Sequence, residues 1–282
     1  MKLTRRDMLK LGAGAVAASA TGIYPAAARA NAAAKRIPIG LQLYSVRHAC
    51  TEDLPSVLEA VAKFGYEGVE YAGYYGRTAK ELRKLQDDNG LKCCGTHTSL
   101  TTLSDDKFDE TVEFNKTIGN KYLIVPSMPH AYIESLEALK ETVALFDKLA
   151  EKAKAHGMVV GYHAHGGDFR DLDGTTSWEV LFDKTCKDVV MQMDVGNCIG
   201  GGGDPYALLK KYPGRSKTIH LKEHGGDAKA VVGEGDVDWK QVFEICESTG
   251  GTEWYIVEHE RGVEGAVENV GRCLANLKKM GK

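Results

Sequence analysis

The chain has 282 residues, with 36 Lys plus Arg against 39 Asp plus Glu, a formal net charge of −3 and 43% apolar residues. That length holds one large domain or two small ones, and the composition is that of a folded protein, not a disordered one. The acidic balance argues against a nucleic-acid partner, which calls for a basic face. After residue 30 no apolar run is long enough for a helix that crosses a bilayer.

The first element is a separate object. Thr4-Arg5-Arg6-Asp7-Met8-Leu9-Lys10 precedes a Leu, Gly, Ala and Val run from Leu11 to Ala20, and Ala28-Arg29-Ala30 supplies a small-x-small cleavage pattern. Residues 1–30 are therefore expected to be a secretory signal, and the paired arginines resemble the twin-arginine type, with Met8 where Phe is usual. The expected location is periplasmic or otherwise exported, with no stable membrane insertion once the signal is cut. Residues 31–282 would then form the mature domain, with 31 basic and 38 acidic side chains, a net −7. Seven cysteines (50, 93, 94, 186, 198, 246 and 273) show no zinc-finger spacing, and most are expected to be small buried apolar residues.

Strands are predicted at Ile37–Leu43, Gly68–Tyr71, Lys92–Thr96, Tyr122–Val125, Met158–Tyr162, Val189–Met193, Thr218–Leu221 and Tyr255–Val257. They are short and rich in Val, Ile, Leu or Tyr, as buried parallel strands are. Helical patterns alternate with them. Leu54–Phe64 repeats apolar residues at i, i+3 and i+4 and ends at Gly65. Thr78 and Glu81 form a capping box for a helix that stops near Gly90. Lys107–Ile118 ends at Gly119, and Leu136–Ala155 ends at Gly157. Thr176 with Glu179, Asp204-Pro205, and Asp238 with Gln241 open three more helices, and Ala266–Met280 is the last. The Gly201-Gly202-Gly203 run is expected to be a flexible loop. Eight strand–helix repeats in about 250 residues predict a (β/α)8 barrel; the alternative, a doubly wound sheet, lacks its Gly-rich turn after the first strand.

In such a barrel the active site lies at the C-terminal ends of the strands. Ionisable residues gather there: Glu70, His97, His163 and His165, Asp194, His220 and Lys222, Glu258 and Glu260. Any one of them alone reads as a loop hydrogen-bonder. Together, imidazole nitrogen and carboxylate oxygen are the ligands of Mn, Fe, Co or Zn, and a cation offsets the cost of crowding carboxylates.

These residues also carry a resemblance. Gly161-Tyr162-His163-Ala164-His165, Met193-Asp194-Val195-Gly196-Asn197, Ile219-His220-Leu221-Lys222-Glu223 and Trp254-Tyr255-Ile256-Val257-Glu258 stand in the order found in the sugar phosphate isomerase/epimerase group of xylose isomerase-like TIM barrels. Gly68-Val69-Glu70, Gly95-Thr96-His97 and the loop Gly233–Asp238 extend the likeness over residues 37–280. It implies one divalent metal held by His163, Asp194, His220 and Glu258, with manganese the leading candidate. The subgroup resembled has His-Asn-His where Ala164 stands here, and Asp168 replaces a Glu. Glu258, His165, His97 and Lys222 are the expected catalytic groups. Glu70, Gln42, Tyr44 and Glu234 are the expected substrate contacts, and Tyr74 and Tyr75 are further candidates to pack on a sugar ring.

The implied chemistry is proton removal beside a carbonyl to give an enediolate. Its fates are epimerisation, isomerisation or, if a β-substituent leaves, elimination from a 3-keto-glycoside. The substrate is expected to be a small unphosphorylated saccharide, since no phosphate cradle is visible and export leads away from sugar phosphates. Lower alternatives are an AP-endonuclease-like DNA enzyme, for which Asn197 replaces an expected His, and a non-catalytic saccharide-binding barrel. A homo-oligomer is compatible with the sequence.

Overall fold

The computed structural model describes residues 36–261 and 265–282; the expected signal, residues 1–30, lies outside them. Eight parallel barrel strands follow in chain order: β1 Ile39–Gln42, β2 Gly68–Tyr71, β3 Lys92–His97, β4 Tyr122–Val125, β5 Val159–His163, β6 Val190–Gln192, β7 Thr218–Leu221 and β8 Trp254–Val257. Neighbours pair in the order β6-β5-β4-β3-β2-β1-β8-β7. A single bridge between Asp194 and His220 links β6 to β7, so the barrel is nearly closed. The bridge also brings two of the expected metal ligands side by side.

The helices are α1 Arg47–Phe64, α2 Ala79–Asn89, α3 Phe108–Thr117, α4 Leu136–Ala155, α5 Ser177–Lys184, α6 Val195–Gly200, α7 Pro205–Lys211, α8 Trp239–Ile245 and α9 Ala266–Lys279. Their start and stop signals act as the sequence predicts. The Thr78–Glu81 capping box forms, and Gly65 and Gly90 take the left-handed conformation that ends α1 and α2. Within α1 the backbone breaks at Asp53, whose side chain accepts from Ser56 N at 3.2 Å, so the regular part starts at Leu54.

Several expectations need correction. β1 is shorter than Ile37–Leu43, because Leu43–Val46 turns into a 3-10 helix capped by Gln42. β6 stops at Gln192, so Asp194 lies just beyond the strand and caps the unpredicted helix α6. A two-residue hairpin, Asp171–Leu172 with Thr175–Thr176, also went unpredicted. The glycine run is not a loose loop: a Cβ on Gly201 would lie 2.2 Å from the Gly166 carbonyl oxygen, so glycine lets this turn pack on the segment after β5.

Every strand contributes buried side chains, and the core extends from the barrel into the helix shell through Leu58, Phe108, Phe146, Trp178 and Leu277. All seven cysteines are free, and all but Cys186 are buried. Among the described residues no helix is long and apolar enough to cross a membrane.

Candidate active site

Parallel strands deliver their last residues to one rim, so four strand ends converge. His163 closes β5, Asp194 follows β6, His220 lies in β7 and Glu258 follows β8. Each offers one ligand atom, and these four atoms all lie within 4.8 Å of one another. All four side chains are buried. His220 Nδ1 is 2.5 Å from Glu258 Oε2 and 3.9 Å from Asp194 Oδ2, and His163 Nε2 is 4.0 Å from Glu258 Oε2.

The charges explain why such a cluster needs a partner. Burial would lower the His220 pKa, but Glu70 and Glu258 on its two sides overcome that and raise it to about 10. Burial would raise Glu258, yet the His220 hydrogen bond and the charges of His220 and Lys222 hold it well below the usual carboxylate range. Asp194 goes the other way: burial pushes it up, only partly offset by Lys222. His163 and His97 are driven down by burial and are neutral at neutral pH. Lys222 donates to Glu258 Oε1 at 3.2 Å and pairs with Glu260 at the rim.

Asp194 supplies the test of whether a cation fits. Its Oδ1 accepts from Asn197 N at 2.7 Å and so caps α6, while Oδ2 is buried with no hydrogen-bond partner. An orphaned carboxylate oxygen beside two imidazoles and a second carboxylate is a mixed N/O set suited to a divalent ion. Ligand atoms on one such ion lie no more than about 4.4 Å apart, and the separations of 3.9 Å from His220 Nδ1 to Asp194 Oδ2 and 4.0 Å from His163 Nε2 to Glu258 Oε2 fall within that limit. The residues fit a metal.

Above the group opens a cavity of about 480 Å³, lined by Tyr44, His97, His163, His165, Lys222 and Glu258 among others. Of the expected catalytic groups, Glu258, His165, His97 and Lys222 all face it. His165 is exposed, and its backbone N–H donates to Asp168 Oδ2 at 2.7 Å, which fixes the turn after β5.

Three expected substrate contacts lie elsewhere. Gln42 and Glu70 are fully buried beneath the ligand group and do not line the cavity. Their positions in β1 and β2 are directly paired, and Gln42 Nε2 donates to Glu70 Oε2 at 2.8 Å. Glu70 Oε2 also accepts from His220 Nε2 at 2.6 Å, so Glu70 holds the His220 ring from the side away from Glu258. A Cβ on Gly95 would lie 2.2 Å from Glu70 Oε1, so glycine there makes room for this carboxylate. Glu234 is exposed and bound to Arg272 and Asn276 of α9, well away from the cavity lining. Tyr74 stacks on Phe114 at 4.1 Å, and neither it nor Tyr75 lines the cavity. Only Tyr44 of the expected sugar contacts does.

Sequence reasoning missed Gln192 and Glu223. Gln192 is fully buried, and its amide touches Glu70, Thr218, His97 and His163. The available signal was its place two residues before Asp194, on the same face of the chain. Glu223 accepts from Gly233 N at 2.6 Å and Trp239 Nε1 at 2.8 Å, organising the loop after β7.

Known proteins share this architecture. An inosose dehydratase of Clostridium perfringens is 25% identical over 243 residues, covering 72% of this chain and 81% of that protein. An inosose dehydratase of Bacillus cereus is 26% identical over 249 residues, with 72% and 81% covered. The crystal structure of a sugar phosphate isomerase/epimerase from Parabacteroides distasonis aligns with a TM-score of 0.76 at 27% identity, covering 86% of this chain and 98% of that one. The family model described as xylose isomerase-like TIM barrel matches residues 58–278, and the chain belongs to that family.

Proposed function

We propose that this protein is a divalent-metal-dependent enzyme of the sugar isomerase/epimerase type, removing a proton beside the carbonyl of an unphosphorylated keto-sugar or keto-glycoside. The observation that carries the reading is the buried His163, Asp194, His220 and Glu258 group at the floor of a cavity whose walls include His97, His165, Lys222 and Glu260. A bound divalent ion, with manganese the first candidate, would supply Lewis-acid stabilisation of the enediolate. Glu258 reaches the cavity with a carboxylate kept ionised by His220 and Lys222, so it can take the proton. Lys222 sits where it can balance charge developing on an oxygen. His165, whose pKa is lowered by partial desolvation against the cavity wall and by the nearby Lys222 charge, is an imidazole at the rim able to shuttle a proton. The described lining contains no arginine, and Lys222, its single lysine, is already paired with Glu258 and Glu260, which disfavours a phosphorylated substrate.

A second reading is elimination on the same site. It draws on the relatives named inosose dehydratases. It also draws on β5, which brings imidazoles rather than a second carboxylate to the cavity opposite Glu258. Epimerisation needs a proton donor on the opposite face; elimination needs only an acid for the leaving oxygen.

Metal analysis followed by NMR of keto-sugars and keto-glycosides in deuterated water separates these outcomes. The expected result is about one ion per chain and deuterium entering beside the ketone. Inverted configuration marks epimerisation, label at the neighbouring carbon marks isomerisation, and loss of water or an aglycone marks elimination. A protein that binds no metal and shows no exchange would end the proposal.

Export rests on the Arg5-Arg6 segment and Ala28-Arg29-Ala30. N-terminal sequencing of the protein from a periplasmic fraction should then begin at Asn31; a product that keeps Met1 contradicts cleavage.

A further inference from the structure

We infer that Gln192 is a positioning residue whose single carboxamide fixes the ring tautomers of His163 and His97, presenting His163 Nε2 as a bare lone pair toward the ligand group. Its bearing on metal affinity rests on the metal-centre reading above.

The argument is one of donors and acceptors. Gln192 Nε2 lies 2.8 Å from Glu70 Oε1 and 3.0 Å from Thr218 Oγ1. Its Oε1 lies 3.1 Å from His163 Nδ1 and 3.1 Å from His97 Nε2. Turning the amide over would set its oxygen against the Glu70 carboxylate. Glu70 Oε2 already accepts from Gln42 and His220, so this carboxylate is met by donors on both oxygens. The amide nitrogen must therefore face Glu70, and the amide oxygen must face the two rings. An oxygen can only accept, so both ring nitrogens that meet it carry hydrogen.

The two histidines are thereby set in opposite forms. His163 is protonated on Nδ1, and its lone pair sits on Nε2, the nitrogen 4.0 Å from Glu258 Oε2. His97 is protonated on Nε2, which leaves Nδ1 as its only acceptor. The partner on one ring nitrogen decides which nitrogen remains free to ligate. Gln192 is fully buried and absent from the cavity lining, so its amide meets the two rings from the side away from the cavity.

The test has two arms. In metal-free wild-type protein, long-range nitrogen–proton NMR of the imidazoles reads the tautomers directly, and His163 should be protonated on Nδ1. In the second arm, Gln192→Leu removes the amide at similar volume. Titration with Mn2+ should show about 10–100-fold weaker binding than wild type, and His163 should become a mixture of tautomers. Wild-type His163 protonated on Nε2 overturns the inference, as does a Gln192→Leu protein that binds Mn2+ as tightly as wild type. If the variant does not fold, the wild-type spectrum decides. A wild-type protein that shows the Nδ1–H form but binds no divalent ion refutes the metal centre and leaves the tautomer assignment standing.

Discussion

Glu258→Gln is expected to lower turnover by about 10²–10⁴-fold, the usual worth of a positioned general base, and saturating metal will not restore it. The carboxylate has two jobs that use different oxygens. Oε2 meets His220 Nδ1 at 2.5 Å within the ligand group, and Oε1 accepts from Lys222 at 3.2 Å at the cavity floor. An amide keeps the shape and loses both the charge and the proton acceptor. His163→Ala provides the contrast. It removes a ligand while leaving Glu258 in place, so its defect should shrink as the metal concentration is raised. Bound metal measured beside kcat, each over a metal titration, separates the two variants. Glu234→Gln serves as the control, because Glu234 is held on α9 by Arg272 and Asn276 and should leave kcat unchanged. A Glu258→Gln protein with wild-type turnover would show that the base lies elsewhere.

The convergence of four strand-end residues was legible because of strand polarity. Once eight strands are parallel, His163, Asp194, His220 and Glu258 reach the same rim whatever the connecting helices do. Depth along the barrel was not legible. Gln42 and Glu70 occupy paired positions in β1 and β2, one layer below the rim, and nothing in the apolar runs around them marks that layer. The sequence places them near the site, and the folded structure shows Glu70 bonded to His220 and Gln42 bonded to Glu70. Gln192 escaped notice for a related reason. A neutral amide within Met191-Gln192-Met193 reads as one polar residue in a strand, and its value comes from partners 29, 95 and 122 residues away in sequence. Glu234 was misplaced because the loop after β7 folds outward onto α9, through contacts 38 and 42 residues distant. Local patterns carry periodicity and caps; they carry no information about which loop turns inward.

The metal-free protein is expected to lose stability as pH rises from 7 to 9, and added divalent metal should remove most of that loss. His220 is the group responsible. Its pKa is about 10 in the folded protein and about 6.5 in an unfolded chain. The folded state therefore binds more protons across this window, and stability falls with rising pH. The contribution is complete below about pH 6.5 and disappears as pH passes through 10. Asp194, raised to about 7 by burial, adds to the loss at the lower end of the window, because its folded carboxyl still holds a proton that the unfolded chain has already released; the other buried imidazoles and carboxylates act outside the window. His163 and His97 have lowered values, so their effect is felt below 6.5, where stability rises with pH. Glu70 and Glu258 lie below the usual carboxylate range and matter only at acid pH. Cys50 and Cys93 are pushed up to about 12 by burial and add to the loss only as unfolded thiols ionise, near the upper end of the window. One group can contribute at most about 1.4 kcal/mol per pH unit, so denaturant melts at pH 7, 8 and 9 after chelation should show a progressive decline approaching that slope. With metal present, His220 Nδ1 would be a ligand and carry no proton, so the slope should shrink to the small cysteine contribution near pH 9; the apparent affinity for metal should itself rise with pH as protons are displaced. A chelated protein equally stable at pH 7 and 9 would mean that His220 is not an imidazolium clamped between Glu70 and Glu258.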